Sequence, residues 1–262
     1  MQRHHIPFVA ALLVFNLVLP IAPVRALEAS DPSALAEAYF EQLYGFNALE
    51  AYESFRGPAH AVFAVARRWT RGSAKILIDV QAPNSFSKWA LLMFHNRERS
   101  DDLFAYVPAW RRVHRLSAID LELQVLFQLL PLGEFRPIAP GELEYTQLPD
   151  AEVEGEVCQV VEGRPRHRGL GFDRMELAIS PKSGLALRTL VFKGANVIRR
   201  IMVAPEDIQQ YGDRLLPVRR RITSPPDEGV TELVLRNLML DPLLPNSLFT
   251  PHSLRKQRFP GF

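Results

Sequence analysis

The chain has 262 residues, with 31 Lys and Arg against 29 Asp and Glu, and a single cysteine. Residues 1–26 contain Arg3 and Arg25 and no carboxylate, so the remainder balances at 29 basic and 29 acidic side chains. A neutral chain has no strong electrostatic drive toward nucleic acid, and a lone Cys158 excludes an internal disulfide scaffold.

In chain order, Arg3, His4 and His5 form a basic head. Phe8 to Leu19 is an apolar run interrupted by Asn16, and Pro20, Pro23 and the small-residue exit Val24-Arg25-Ala26 follow. This is the layout of a secretory signal peptide. The run is shorter than the roughly 20 residues of a membrane-crossing helix, an uncleaved anchor being the alternative. Residues 27–262 are therefore expected to form one exported, soluble domain, with no cysteine near the exit to carry a lipid.

Asp31-Pro32 supplies a cap and first-turn proline for a helix with Leu35, Tyr39, Phe40 and Leu43 on one face. A second short helix is expected over Ala48 to Phe55, ended by Gly57-Pro58. From Ala61 the period changes to 2. Ile76, Ile78 and Val80 mark one strand, and strand-like runs continue at Lys88–His95, Leu103–Val107, Trp110–Leu116 and Leu143–Leu148. Others follow at Glu156–Glu162, Arg174–Ser180, Ala186–Lys193, Ile198–Ala204, Leu215–Thr223 and Val230–Leu238. Turns fall at Ala82-Pro83-Asn84, Pro181 to Gly184, Gly194-Ala195-Asn196 and Ser224 to Gly229. Many short strands joined by tight turns indicate an antiparallel meander. Ile119 to Leu130, closed by Pro131 and Gly133, is the one helical-looking interruption.

Several strands are apolar on both parities: Leu187, Leu190, Val191 and Phe192 in one, Val197, Ile198, Ile201 and Met202 in the next. Such a strand is buried on both sides, or it lines an apolar cavity on one of them.

Catalytic signals are absent from the sequence. It holds no phosphate loop, CxxC, HExxH or GxSxG, and Arg174 stands where a third dinucleotide-binding glycine would follow Gly169 and Gly171. No histidine shares ligand spacing with another or with a carboxylate; His95 is the best lone base candidate, though a strand-end His is more often merely hydrogen-bonded. Asp101-Asp102 and Glu206-Asp207 read as turns, and Glu152, Glu154 and Glu156 as one solvated strand face. Cys158 reads as a small buried residue. The runs Arg111-Arg112, Arg199-Arg200 and Arg219-Arg220-Arg221 read as solvated strand faces, contact with anionic head groups or an acidic partner being the functional alternative. A terminal Phe262 is reminiscent of outer-membrane barrels, but Pro260-Gly261 cannot sit in a closing strand and the strands are short for a bilayer.

The segment Leu103 to Leu116 (LFAYVPAWRRVHRL) resembles the "LYVPALRRVRRI" stretch of the outer-membrane lipoprotein-sorting protein family, whose members resemble the periplasmic lipoprotein carriers LolA and LolB. Gly155 to Pro165 resembles its hairpin, and Asn237 to Thr250 its closing "N…P…FT" pattern, so the likeness spans about Arg67 to Thr250. Ser117 to Leu123 departs from the family's "GTDFSYED"-like segment.

The resemblance implies a mainly β, α+β fold: a strongly curved antiparallel sheet forming an unclosed barrel, with a few helices on its concave face and an apolar cavity for acyl chains. It implies a periplasmic, monomeric carrier of lipid or lipoprotein acyl chains, with transient membrane contact and no catalysis, cofactor, metal or nucleic acid. The alternative is an adaptor of an inner-membrane transporter of the RND type without bound lipid. Candidate ligand-contacting residues are Trp89, Leu91, Met93, Phe104, Tyr106, Trp110, Leu190 and Phe192, with Arg112 a candidate for head-group contact or a structural salt bridge.

Overall fold

Helix α1 (Pro32–Tyr44) forms where a cap precedes a proline: Asp31 Oδ1 accepts a hydrogen bond from Ser33 N at 2.9 Å. Its Leu35, Ala36, Phe40 and Tyr44 are buried. The computed structural model describes residues 31–70, 73–96, 101–116, 124–125, 130–131, 134–139, 141–167, 170–256 and 259. The expected signal segment, the departing stretch Ser117 to Leu123 and Phe262 lie outside them.

Apart from short 3-10 turns, the remaining regular structure among the described residues is strand: β1 (Ala48–Arg56), β2 (Ala59–Thr70), β3 (Ser73–Ala82), β4 (Ala90–His95), β5 (Asp102–Tyr106), β6 (Val113–Leu116), β7 (Gln124–Val125) and β8 (Leu130–Pro131). The second half carries β9 (Leu143–Val153), β10 (Glu156–Pro165), β11 (Arg174–Ile179), β12 (Ala186–Lys193), β13 (Asn196–Met202), β14 (Ile208–Tyr211), β15 (Arg214–Pro217), β16 (Arg219–Ser224) and β17 (Asp227–Leu240). Thirteen of them form one antiparallel sheet in the order β6-β5-β4-β3-β2-β1-β17-β16-β13-β12-β11-β10-β9. The sheet ends at β6 and β9 and is not closed, as the resemblance implied.

Three local expectations are corrected. Ala48 to Phe55 is not a helix but β1, hydrogen-bonded to β2 on one side and β17 on the other. Its helix-forming composition is overridden by two partners remote in sequence. Leu215–Thr223 is not one strand. It breaks at Val218, whose N–H donates to Asp207 O while its carbonyl accepts from Leu235 N. Within Ile119–Leu130, Gln124–Val125 and Leu130–Pro131 pair as a small ladder, and the residues between lie outside those described.

Of the two strands apolar on both parities, β12 buries Leu187 and Val191 on opposite sides, whereas Val197, Ile198, Ile201 and Met202 of β13 are only half-buried. On the inner face of β1 to β5, Phe63, Val65, Ile76, Ile78 and Met93 pack with Phe135 and with Leu233 and Leu235 of β17. On the inner face of β9 to β12, Val161, Met175, Leu177 and Ile179 pack under α1. The opposite face of β2 to β5 is covered by the 3-10 turns Asn246–Leu248 and Pro251–Arg255, whose Leu248 and Leu254 join Leu77, Leu92, Phe104 and Tyr106. On the other half that face holds Val153, Cys158, Val160, Ala178 and Leu187, the last in a bulge of β12.

Candidate functional site

Among the described residues the inner face is covered by helix α1 and by an irregular segment, 134–139. All six of its residues are buried. Phe135 stands edge-on to Phe63, ring centroids 5.5 Å apart, and Ile138 packs with the α1 cluster. The segment joins the two halves of the inner core and fills much of the concavity. What remains is a cavity of about 60 Å³ between α1 and the sheet. Tyr39, Phe40, Leu43 and Tyr44 of α1 form one wall, Met175, Leu177, Thr189 and Ile201 another, and Glu134, Arg136, Arg199 and Arg220 a charged floor.

The floor is a cross-strand charge cluster. Arg199 of β13 places Nε 3.2 Å from Glu134 Oε1, and Arg220 of β16 places Nη1 3.7 Å from Glu134 Oε2. Beside it, Arg67 Nη2 donates to Glu50 Oε1 at 3.3 Å, and the Arg67 guanidinium lies over the rings of Tyr44 and Phe46 at 5.2 and 4.9 Å. Arg67 Nε has no hydrogen-bond acceptor among the described residues. Burial opposes the charge on Arg220, yet Tyr52, Glu134, Tyr44 and Glu50 hold its guanidinium above the ordinary range. Burial also pushes the Tyr39, Tyr44 and Tyr52 hydroxyls up, so they stay neutral.

A second cluster anchors the segment. Arg136 donates to both Glu142 carboxylate oxygens at 3.0 and 2.6 Å, to Asp101 Oδ2 at 2.6 Å and to Pro137 O at 3.1 Å. His95 is fully buried, with Nδ1 3.0 Å from Asp101 Oδ1 and Nε2 3.8 Å from Glu142 Oε2. Burial alone would raise the Asp101 carboxyl, but the hydrogen bond with His95 and the charge and hydrogen bond of Arg136 bring it below its usual value. His95 thus cross-links β4 to this network. Among the described residues no group of His, Cys, Asp and Glu is arranged to hold a metal ion.

Leu91 and Met93 face the inner cluster, with Trp89 at its margin against Phe86. Phe104 and Tyr106 pair with Leu92 and Ala90 and face the opposite side, under the C-terminal turns. Leu190 and Phe192 point away from the side shown by Thr189 and Val191, and the Arg174 guanidinium covers the Phe192 ring at 3.4 Å. Trp110 closes the turn Pro108–Trp110. Arg112 is exposed and donates to His114 Nε2 at 3.1 Å. The sequence-predicted set is therefore split between two faces, and none of its described side chains is among those around the cavity.

The cavity's polar residues carried a signal after all. The runs Arg199-Arg200 and Arg219-Arg220-Arg221 are not solvated faces throughout, because on a strand period 2 sends alternate arginines inward, whereas Arg111 and Arg112, off any strand, are both exposed. Arg199 and Arg220 are 4% and 8% exposed. Arg219 and Arg221, on the other parity, meet Glu232 and Glu154 at the surface.

The open thirteen-stranded sheet with one covering helix defines the fold as LolA-like. A family model described as "uncharacterized protein" matches residues 72–256, and the chain belongs to that family. No curated protein matches its sequence significantly. The fold is similar to an outer-membrane lipoprotein-sorting protein domain from Vibrio parahaemolyticus, with TM-score 0.77, 17% identity, and 86% of this chain and 98% of that one covered. It is also similar to a DUF1329 family protein from Desulfovibrio piger, with TM-score 0.75, 19% identity, and 86% and 100% covered. A LolA superfamily protein from Nitrosomonas europaea gives TM-score 0.67 at 16% identity, with 85% and 98% covered.

Proposed function

We propose that this chain is an exported periplasmic carrier or chaperone that takes an acyl chain of a lipid or lipoprotein between α1 and the inner face and moves it toward the outer membrane. Residues 1–26 act as its cleaved signal, residues 27–262 as one monomeric domain, and no covalent chemistry is involved. The observation that supports the reading most is a cavity walled by α1 over an apolar inner face, on a fold shared with a lipoprotein-sorting domain. An acyl chain in water costs about 0.8 kcal/mol per CH₂, so transit between membranes calls for such a container.

The cavity of about 60 Å³ has room for a water or two, whereas small-molecule pockets hold roughly 300–1,000 Å³. Loading therefore requires α1 or the 134–139 segment to move. The C-terminal end of α1 is tied down: Arg214 donates to the carbonyls of Glu41, Gln42 and Gly45, and Gln42 Nε2 donates to Ser183 O and Leu215 O. Its N-terminal half is held by apolar packing and is the end that swings. Trp89, Leu91 and Met93, which pack against Phe135's cluster, become ligand contacts in the loaded state.

The test is mass spectrometry of lipid extracted from protein purified from its native host, with titration of a fluorescent acyl probe. Co-purified lipid and saturable probe binding are expected, and the absence of both refutes the carrier. The filled concavity favours a second reading, an adaptor of an inner-membrane RND-type transporter that works without lipid. In-cell crosslinking that captures such a transporter on a lipid-free protein would establish it instead.

A further inference from the structure

The two halves of the charge cluster differ in how they are held. Arg199 and Arg220 are on neighbouring strands of the large sheet, β13 and β16, paired through Arg200↔Thr223, Ile201↔Ile222 and Met202↔Arg221. Their shared carboxylate comes from Glu134, on an irregular segment that makes none of the large sheet's ladder. Two guanidiniums therefore face one carboxylate whose oxygens are 3.2 and 3.7 Å away. Arg67, 4% exposed, adds a third guanidinium nearby, with Glu50 as its partner and its Nε unpaired. This group of three arginines and two glutamates carries a formal excess of one positive charge in a water-poor interior. Next to it, Phe135 fills apolar space against Phe63 and Tyr52.

A carboxylate followed by an apolar group, seated on a rigid cationic floor inside an apolar wall, has the chemistry of an anionic amphiphile. We infer that Glu134-Phe135 is a built-in stand-in for the ligand, and that the cargo is a single-tailed or multi-tailed amphiphile whose anionic head, carboxylate or phosphate, replaces Glu134 on Arg199 and Arg220. This rests on the carrier reading and specifies its cargo. A guanidinium pair offers several donors in a fixed fork, which suits a carboxylate or phosphate and gains less from a neutral hydroxyl. Displacing an internal anion rather than an empty site keeps the cluster compensated in both states, because an uncompensated buried charge is heavily penalised.

The experiment compares binding of palmitate, hexadecyl phosphate and hexadecanol to the full chain, by displacement of a fluorescent acyl probe at neutral pH. An anionic head is expected to improve affinity about ten-fold over the alcohol, the value of one or two charge-assisted hydrogen bonds. A preference for palmitate or for hexadecyl phosphate tells carboxylate from phosphate, and either supports the inference. Glu134→Gln removes the competing charge and is expected to tighten the anionic ligands about ten-fold more than it tightens hexadecanol. Equal affinity for all three ligands overturns the anionic head and leaves the carrier standing. Binding of none overturns both. The comparison on the unaltered chain decides the matter even should Glu134→Gln fold poorly.

Discussion

Arg199 of β13 holds its Nε 3.2 Å from Oε1 of Glu134, joining the sheet to the segment that fills its concavity. Both residues are 4% exposed. In such a place a charge is tolerated only while its partner is present.

Removing one arginine from this cluster is therefore costly. Arg199→Met or Arg220→Met is expected to lower stability by about 3–5 kcal/mol, measured by urea unfolding. Replacing Glu134, Arg199 and Arg220 together by Leu, Met and Met should lose far less than the single changes added up. Strict additivity would show that the charges do not act as one unit.

Acid should weaken the anchor of the segment. The Asp101 carboxyl sits below its usual value near 3.8 in the folded protein, so its contribution is complete above that value. It is lost as pH falls through the lower folded value, because the unfolded chain then binds the proton more readily. Unfolding free energy should drop below about pH 4, and Asp101→Asn should flatten that part of the profile. An unchanged slope in the variant would remove Asp101 from the account.

Two phenylalanines in edge-on contact should differ in effect. Phe63 of β2 is fully buried in the sheet core, and Phe63→Ala should cost about 3–5 kcal/mol. Phe135→Ala removes a ring from the filling segment and enlarges the hollow beside the cavity. It should raise uptake of a fluorescent acyl probe. Reduced uptake in a folded Phe135→Ala protein would mean that the ring holds ligand instead of excluding it.

Cys158 should be inert. Burial, with help from the Glu156 carboxylate, pushes its thiol up to about 11, and its Sγ lies 3.6 Å from Glu156 O. At pH 8 iodoacetamide should label it slowly in the native protein and quickly in urea, since the thiolate is the nucleophile. Equal rates in both conditions would contradict its burial.

The capped helix at Asp31-Pro32, the turns at Pro83, Pro181 to Gly184 and Gly194, and the period-2 strands between them were legible in the sequence because each depends on residues a few positions apart. So was the open antiparallel sheet, through the Leu103 to Leu116 stretch and its companions. The site was not. The runs holding Arg199 and Arg220 read as solvated strand faces, and nothing local says that Glu134 stands opposite two of their arginines, because the partner comes from an irregular segment with no pattern of its own. Likewise Ala48 to Phe55 has the composition of a helix and becomes β1 since β2 and β17 both offer it a ladder. Apolar residues on both parities were equally compatible with a hollow and with two packed faces. Only the tertiary structure chose: β12 buries Leu187 on one side and Val191 on the other, while Ile201 of the half-buried β13 lines the cavity under α1. Local pattern fixes which way a side chain points; the third dimension fixes what it meets.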